Sequence, residues 1–106
     1  MEVIAFKIIA AASEASSLFQ KAFGCVKEGK YDAADKLMID GEKILNEGHK
    51  IQRELVTKES NGENIEIGTL IVHAQNHLMN AVFMRQMIKH MITMQKEINE
   101  LKGKEK

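Results

Sequence analysis

The sequence predicts an all-α protein, a three-helix bundle with up-down-up topology. The chain of 106 residues contains no proline, and residues that favour helices dominate it. Apolar residues recur at alternating steps of three and four along three long segments, which is the spacing of one helix face. Two short breaks that contain glycine separate these segments, so residues 1–106 are expected to form a single domain.

The first predicted helix runs from residue 3 to about residue 28 and ends before Gly29. Its seam of small and aliphatic side chains consists of Ile4, Ile8, Ala11, Ala15, Leu18, Ala22 and Cys25. Because Cys25 lies on this seam, we expect it to be a small buried hydrophobic residue. It is also the single cysteine of the chain, so an internal disulfide cannot form, which fits a reducing compartment.

The second predicted helix follows a turn of a few residues at positions 29–32 and should therefore return antiparallel to the first. Its seam consists of Ala34, Leu37, Gly41, Ile44, Gly48, Ile51 and Leu55. A glycine inside a helix costs about 1 kcal/mol relative to alanine, so two on the buried side indicate that a neighbouring helix comes close. His49 lies beside the seam, and a hydrogen-bonded structural role is the favoured interpretation of it.

The third predicted helix follows a polar break at residues 59–64 and runs from about Ile67 to Leu101. It carries two seams. The first seam is polar for two turns and then apolar, and consists of His73, His77, Asn80, Met84, Met87, Met91, Met94, Ile98 and Leu101. The second seam consists of Ile67, Ile71, Ala74, Leu78, Ala81, Arg85, Ile88 and Ile92. A helix with two such seams can bury one against its own chain and the other against copies of itself.

The charge balance excludes several classes of partner. Fifteen basic residues match fifteen acidic ones and form no basic face, which argues against binding to nucleic acid or to an anionic membrane surface. No apolar run approaches the roughly 20 residues that a membrane span requires. Glu2 and Lys7 interrupt the apolar N-terminal stretch, which is atypical of a signal peptide. A cytoplasmic protein without membrane insertion is therefore expected.

Two histidines one helical turn apart, His73 and His77, are the strongest candidate site, and three interpretations of them stay open from the residues alone. Both can be polar spacers in a helical interface. As an i, i+4 pair they can hold a transition metal, although two ligands make a weak site. One of them can instead be a nucleophile that carries a phosphoryl group, because neutral imidazole is available near neutral pH.

The residues around this pair resemble a known family. The stretch His73-Ala74-Gln75-Asn76-His77-Leu78-Met79 is similar to the HxQDHLM signature of the lactose/cellobiose (N,N'-diacetylchitobiose) IIA proteins of the bacterial phosphotransferase system that takes up sugars. The turn Glu28-Gly29-Lys30-Tyr31-Asp32 is similar to the NGDF turn of that family, and His49 and Gln52 match its AHxxQ stretch. The resemblance covers essentially the whole chain, with its motifs in the expected order.

The resemblance implies a homotrimeric all-α phosphocarrier, and we expect this chain to need no cofactor. His73 would accept a phosphoryl group from the phosphohistidine of HPr and pass it to a cysteine of a IIB component for disaccharide uptake. Gln75 would hold the phosphoryl oxygens, and His77 would support the site. The alternative is a trimeric helical adaptor or regulator that transfers nothing. Since a IIA protein does not touch the sugar in this scheme, the disaccharide and the particular IIB component are not encoded in the motif.

One position departs from the family pattern. The family usually has an aspartate, associated with a divalent metal on the trimer axis, where this chain has Asn76. An amide lacks the negative charge that would draw three side chains to a cation. We therefore expect a weak metal site or none, and we expect the apolar side chains of Met84, Met87, Met91 and Met94 to support trimer formation in its place.

Overall fold

The computed structural model describes residues 2–63 and 68–103, and all of its regular structure is helical. Helix α1 spans Glu2–Lys27, α2 spans Tyr31–Ser60 and α3 spans Thr69–Leu101. The three helices form the predicted up-down-up bundle, so the fold class is confirmed. Within the described ranges, none of these helices has the length and apolar character needed to cross a bilayer.

Helix α1 is the centre of the bundle, because it packs along both α2 and α3 while those two touch each other only over a short stretch. Its buried residues are Ala5, Ile8, Ala12, Ala15, Phe19, Ala22 and Val26. The predicted seam is therefore right at Ile8, Ala15 and Ala22 and wrong at Ile4, Ala11, Leu18 and Cys25, which are only half-buried. Cys25 packs at the edge of a small cluster that contains Val26 and is only half-buried. The prediction that it is a buried residue is therefore wrong.

The turn after α1 depends on one glycine. Gly29 has a φ of 78°, a left-handed conformation that glycine adopts without steric cost. The amide of Gly29 donates to the carbonyl of Val26 at 3.0 Å, and the amide of Lys30 donates to the carbonyl of Cys25 at 2.9 Å. These bonds close the last turn of α1, and the chain reverses directly into α2.

The two glycines in α2 do allow close packing, as the sequence predicts. A Cβ at Gly41 would lie 2.6 Å from Cε1 of the buried Phe19 ring. At Gly48 it would lie 3.1 Å from Cδ1 of Leu78 and 3.4 Å from Cβ of Ala11, so all three helices meet at this level. The remaining buried positions of α2 are Ala34, Leu45 and Leu55. Leu45 is a correction to the predicted seam, whose Leu37, Ile44 and Ile51 are half-buried.

Helix α3 begins at Thr69 after Gly68, and the predicted start at Ile67 lies outside the described residues. Its second seam faces the core, because Ile71, Ala74, Leu78, Ala81 and Ile88 are buried. Arg85 and Ile92 on that seam are half-buried. The guanidinium of Arg85 lies 3.9 Å from the carboxylate of Glu42 on α2.

The C-terminal end of α3 contains a buried polar residue that the sequence did not reveal. Asn99 is 1% exposed, and its Nδ2 donates to the carbonyl of Val26 at 2.7 Å and to the hydroxyl of Tyr31 at 3.1 Å. Nε2 of Gln95 donates to Oδ1 of Asn99 at 3.0 Å. The side chain of Asn99 therefore joins the end of α1, the start of α2 and α3 at one point.

Candidate functional site

The two histidines of the motif contact each other directly. Nε2 of His77 lies 3.1 Å from Nε2 of His73, and the ring centroids are 4.5 Å apart with an angle of 83° between the ring planes. The contact follows from their spacing, since residues four apart on a helix lie one above the other. His73 is exposed and His77 is half-buried. The outer ring, that of His73, is thus open to solvent, and the inner ring, that of His77, lies between it and the bundle.

A polar groove of about 580 Å³ runs beside this pair, between α1 and α3. The residues that line it are Ala12, Ser13, Ser16, Ser17, Gln20, Lys21, His77 and Asn80. Hydroxyl, amide and ammonium groups dominate this lining, and none of these eight residues is acidic. Sequence reasoning missed the part of the groove on α1, because the spacing of three serines does not reveal which neighbour their face of the helix meets.

The other two polar residues of the motif lie elsewhere on α3. Gln75 is half-buried and two positions from His73, a spacing that separates two side chains by about 200° around a helix. Asn76 is exposed. The hydrogen bonds of the structure bring His77 to His73, so the predicted contribution of Gln75 to the site stays a prediction.

The described part of one chain brings few potential metal ligands together. Across residues 2–63 and 68–103, no three His, Cys, Asp or Glu side chains come close enough together to hold a metal ion. His73 and His77 supply two nitrogens, and Asn76 supplies a neutral amide in place of a carboxylate. Hard divalent cations prefer several charged oxygen ligands, which this chain does not offer there.

The first seam of α3 is exposed over its whole length apart from the half-buried His77 and Met84. Its apolar part continues in neighbouring side chains, and the large exposed hydrophobic residues of this face are Met79, Phe83, Met87, Met91, Met94, Ile98 and Leu101. Phe83 is 64% exposed. A continuous exposed apolar stripe of this length is typical of an interaction surface. We refer to these seven residues as the apolar face of α3.

The chain is a small all-α domain with an exposed histidine pair near the start of its last helix, and comparison with known proteins places it in a family. The family model described as "PTS system, Lactose/Cellobiose specific IIA subunit" matches residues 3–96. The chain therefore belongs to the lactose/cellobiose-specific IIA family, and the resemblance stated from the sequence is confirmed.

Individual relatives agree with this assignment. The lactose-specific EIIA component of Streptococcus mutans is 32% identical over 89% of this chain and 90% of its own length. The crystal structure of the cellobiose-specific enzyme IIA from Bacillus anthracis has a TM-score of 0.87 and 35% identity, and the match covers 92% of this chain and 89% of that one. The IIA(Chitobiose)–HPr complex of Escherichia coli gives a TM-score of 0.81 and 28% identity, with 92% and 95% of the two chains covered.

Proposed function

We propose that the protein is a cytoplasmic phosphocarrier that accepts a phosphoryl group on His73 from the phosphohistidine of HPr. It then delivers the group to the cysteine of a IIB component during disaccharide uptake. The observation that carries the proposal is the exposed imidazole of His73, held at 3.1 Å by His77 within a domain of the IIA family. The similarity to a IIA protein in complex with HPr supports HPr as the donor.

The exchange at His73 needs little chemical machinery. A nitrogen of the neutral imidazole attacks phosphorus while the donor N–P bond breaks, and the electron pair of that bond returns to the donor ring. Delivery reverses this step, with a thiolate as the attacking group. Because the transition state is loose, positioning and hydrogen-bond donors to the phosphoryl oxygens do most of the work.

Several groups could supply those donors. The imidazole of His77 is already in contact with His73, and the groove beside it offers the hydroxyl groups of α1 and the ammonium of Lys21. Gln75 is proposed as a further donor from the motif. A nucleotide is not needed as the phosphoryl source in this scheme, since the chain contains no glycine-rich phosphate loop.

We propose that the active form is a homotrimer in which the apolar face of α3 is buried between subunits. Most of the core seam of α3 is buried within one chain, while the apolar face of α3 is exposed in it. Burial of apolar surface contributes about 25 cal/mol per Å², so covering a stripe of this length stabilises an assembly appreciably. Asn76 would contribute uncharged amides near the polar end of that face.

The function is tested by incubating the protein with phosphoenolpyruvate, Enzyme I and HPr and measuring the transferred label. The wild type should be labelled stoichiometrically, and His73→Ala should not be labelled at all. His90→Ala is the matched control, because His90 is an exposed histidine on the same helix, and it should be labelled normally. An intact trimer that takes up no label would favour the adaptor interpretation, and labelling of His73→Ala would refute His73 as the acceptor.

The trimer is tested by replacing both Met87 and Met91 with lysine. These side chains are 41% and 37% exposed in one chain, so the monomer should fold, while charges desolvated at every symmetric contact should prevent association. Val56→Lys on α2 is the control, since Val56 is 49% exposed on a different helix. Sedimentation should show a monomer for the double variant and a trimer for the control; a trimer in both would remove α3 from the interface.

We propose that this trimer needs no resident metal, because Asn76 replaces the carboxylate that the family pattern would supply. The wild type should keep less than stoichiometric divalent metal after dialysis. Asn76→Asp should raise retention of Mg²⁺ or Ca²⁺, since three carboxylates would then meet near the axis. Elemental analysis of both proteins checks this, and a stoichiometric metal in the wild type would contradict it.

A further inference from the structure

We propose that His77 is a positioning residue that fixes the proton of His73. In this arrangement Nε2–H of His77 donates to Nε2 of His73, which keeps the His73 proton on Nδ1 and leaves Nε2 as the unprotonated, attacking nitrogen. The inference rests on the proposed function, because the location of this proton matters only if His73 accepts the phosphoryl group.

The distance between the two rings indicates a hydrogen bond between their Nε2 atoms. At 3.1 Å the two Nε2 atoms are within hydrogen-bond distance, so one nitrogen donates and the other accepts. Two arrangements satisfy this requirement. If His77 donates, Nε2 of His73 has a free electron pair. If His73 donates, its Nε2 carries a proton and cannot attack phosphorus.

The surroundings of His77 favour the first arrangement. The His77 ring lines the groove whose other polar groups are the hydroxyl groups of three serines, the amides of Gln20 and Asn80, and the ammonium of Lys21. The hydroxyls and amides can donate or accept hydrogen bonds, whereas the ammonium of Lys21 can only donate, and no group that can only accept lines the groove. A groove rich in donors and lined by no carboxylate favours an unprotonated Nδ1 on His77, which leaves the His77 proton on Nε2.

The arrangement also leaves the transfer step balanced. As the donor N–P bond breaks, its electron pair stays with the donor imidazole, and Nε2 of His73 forms the new N–P bond. The proton on Nδ1 of His73 stays in place throughout, so the step needs no proton movement. The Nε2–H of His77 is released from His73 as the bond forms and becomes free to donate to a phosphoryl oxygen. When the group leaves, the original hydrogen bond can form again.

The test reads the tautomers directly in the unphosphorylated, full-length protein. Nitrogen-15 spectra are recorded at about pH 8.5, roughly two units above the pKa of about 6.5 of free histidine, with EDTA present to remove adventitious metal. The wild type should show His73 protonated on Nδ1 and His77 on Nε2. This outcome is informative because free neutral histidine favours the proton on Nε2. A wild-type His73 that carries its proton on Nε2 would overturn the inference.

Two variants separate positioning from mere packing. His77→Phe keeps a ring but removes the donor, so His73 should revert to the Nε2–H tautomer and phosphoryl transfer should slow by about two- to tenfold, the factor that corresponds to one hydrogen bond. His77→Gln keeps an N–H donor and should restore most of the rate. The effect should fall on kcat, with KM for phospho-HPr unchanged.

The variants also give results that count against the inference. If His77→Phe leaves the His73 tautomer unchanged, or if His77→Gln is as slow as His77→Phe, the positioning role is wrong. Failure of the wild type to accept label is a different result, since it would overturn the proposed function while the tautomers are read without any phosphoryl donor.

Discussion

Both ends of α3 carry polar side chains at positions where the seams would allow apolar ones. At one end the polar groups are satisfied by hydrogen bonds in the core, and at the other they are open to solvent. At the C-terminal end, Asn99 is 1% exposed and makes three hydrogen bonds to groups from all three helices. At the N-terminal end, His73 is exposed, and its side-chain hydrogen bond joins it to His77 on the same helix.

The difference shows how a structural polar residue can be told from a functional one. A buried amide without partners would cost several kcal/mol, so its full set of bonds marks a residue that holds the fold together. Within residues 2–63 and 68–103 the hydrogen bond of the histidine pair stays inside α3, and its outer ring is accessible. Removing the pair should therefore change chemistry and leave stability intact, while removing Asn99 should do the reverse.

The largest expected effect on stability is that of Asn99→Leu. The change removes both donors to Val26 and Tyr31 and leaves buried acceptors partly unpaired, so the free energy of unfolding should fall by about 1–3 kcal/mol. Urea denaturation at fixed protein concentration measures this, with the exposed Asn46→Leu as control. Phosphoryl labelling of the folded variant should proceed at the wild-type rate; an unchanged stability would contradict the role of Asn99.

A smaller effect is expected from Tyr31→Phe. The substitution removes only the hydroxyl that accepts from Nδ2 of Asn99 at 3.1 Å, and the shorter bond to the carbonyl of Val26 stays. The loss should be about 0.5–1.5 kcal/mol, the usual net contribution of one hydrogen bond. The same denaturation experiment checks it, and combining both variants should give less than the sum of the single effects, because they share one network.

The smallest effect on stability is expected at the other end of the helix. His73→Ala removes an exposed ring that contacts no second helix through a hydrogen bond, so its free energy of unfolding should lie within about 0.5 kcal/mol of the wild type. A loss as large as that of Asn99→Leu would show that the histidine pair is part of the structural framework and would break the contrast between the two ends.

Most of the fold could be predicted from the sequence, because helical periodicity and glycine positions are local signals. The predicted α1 seam is wrong by one position at Ile4 and Leu18, because the residues buried there are Ala5 and Phe19. The alanine-rich α1 is apolar on several sides, so only contact with two neighbouring helices determines which side is buried most deeply. Asn99 was missed for a similar reason, since two of its three hydrogen-bond partners lie 68 and 73 residues away.

The candidate site could be predicted less completely. The spacing of His73 and His77 is a local property, and their contact follows from it. The groove on the α1 side could not be predicted, because it depends on how α1 and α3 are placed relative to each other. Gln75 lies two positions from each histidine, or about 200° around the helix, so its role in the site stays a prediction.

The proposed function depends on phosphorylation of His73, and one measurement identifies the phosphorylated atom directly. Phosphorylated wild-type protein, uniformly labelled with nitrogen-15, can be analysed for phosphorus–nitrogen coupling to assign the bonded nitrogen. We expect a single coupled nitrogen, Nε2 of His73. Coupling to a nitrogen of His49, His77 or His90, or label on a residue other than histidine, would contradict the central claim.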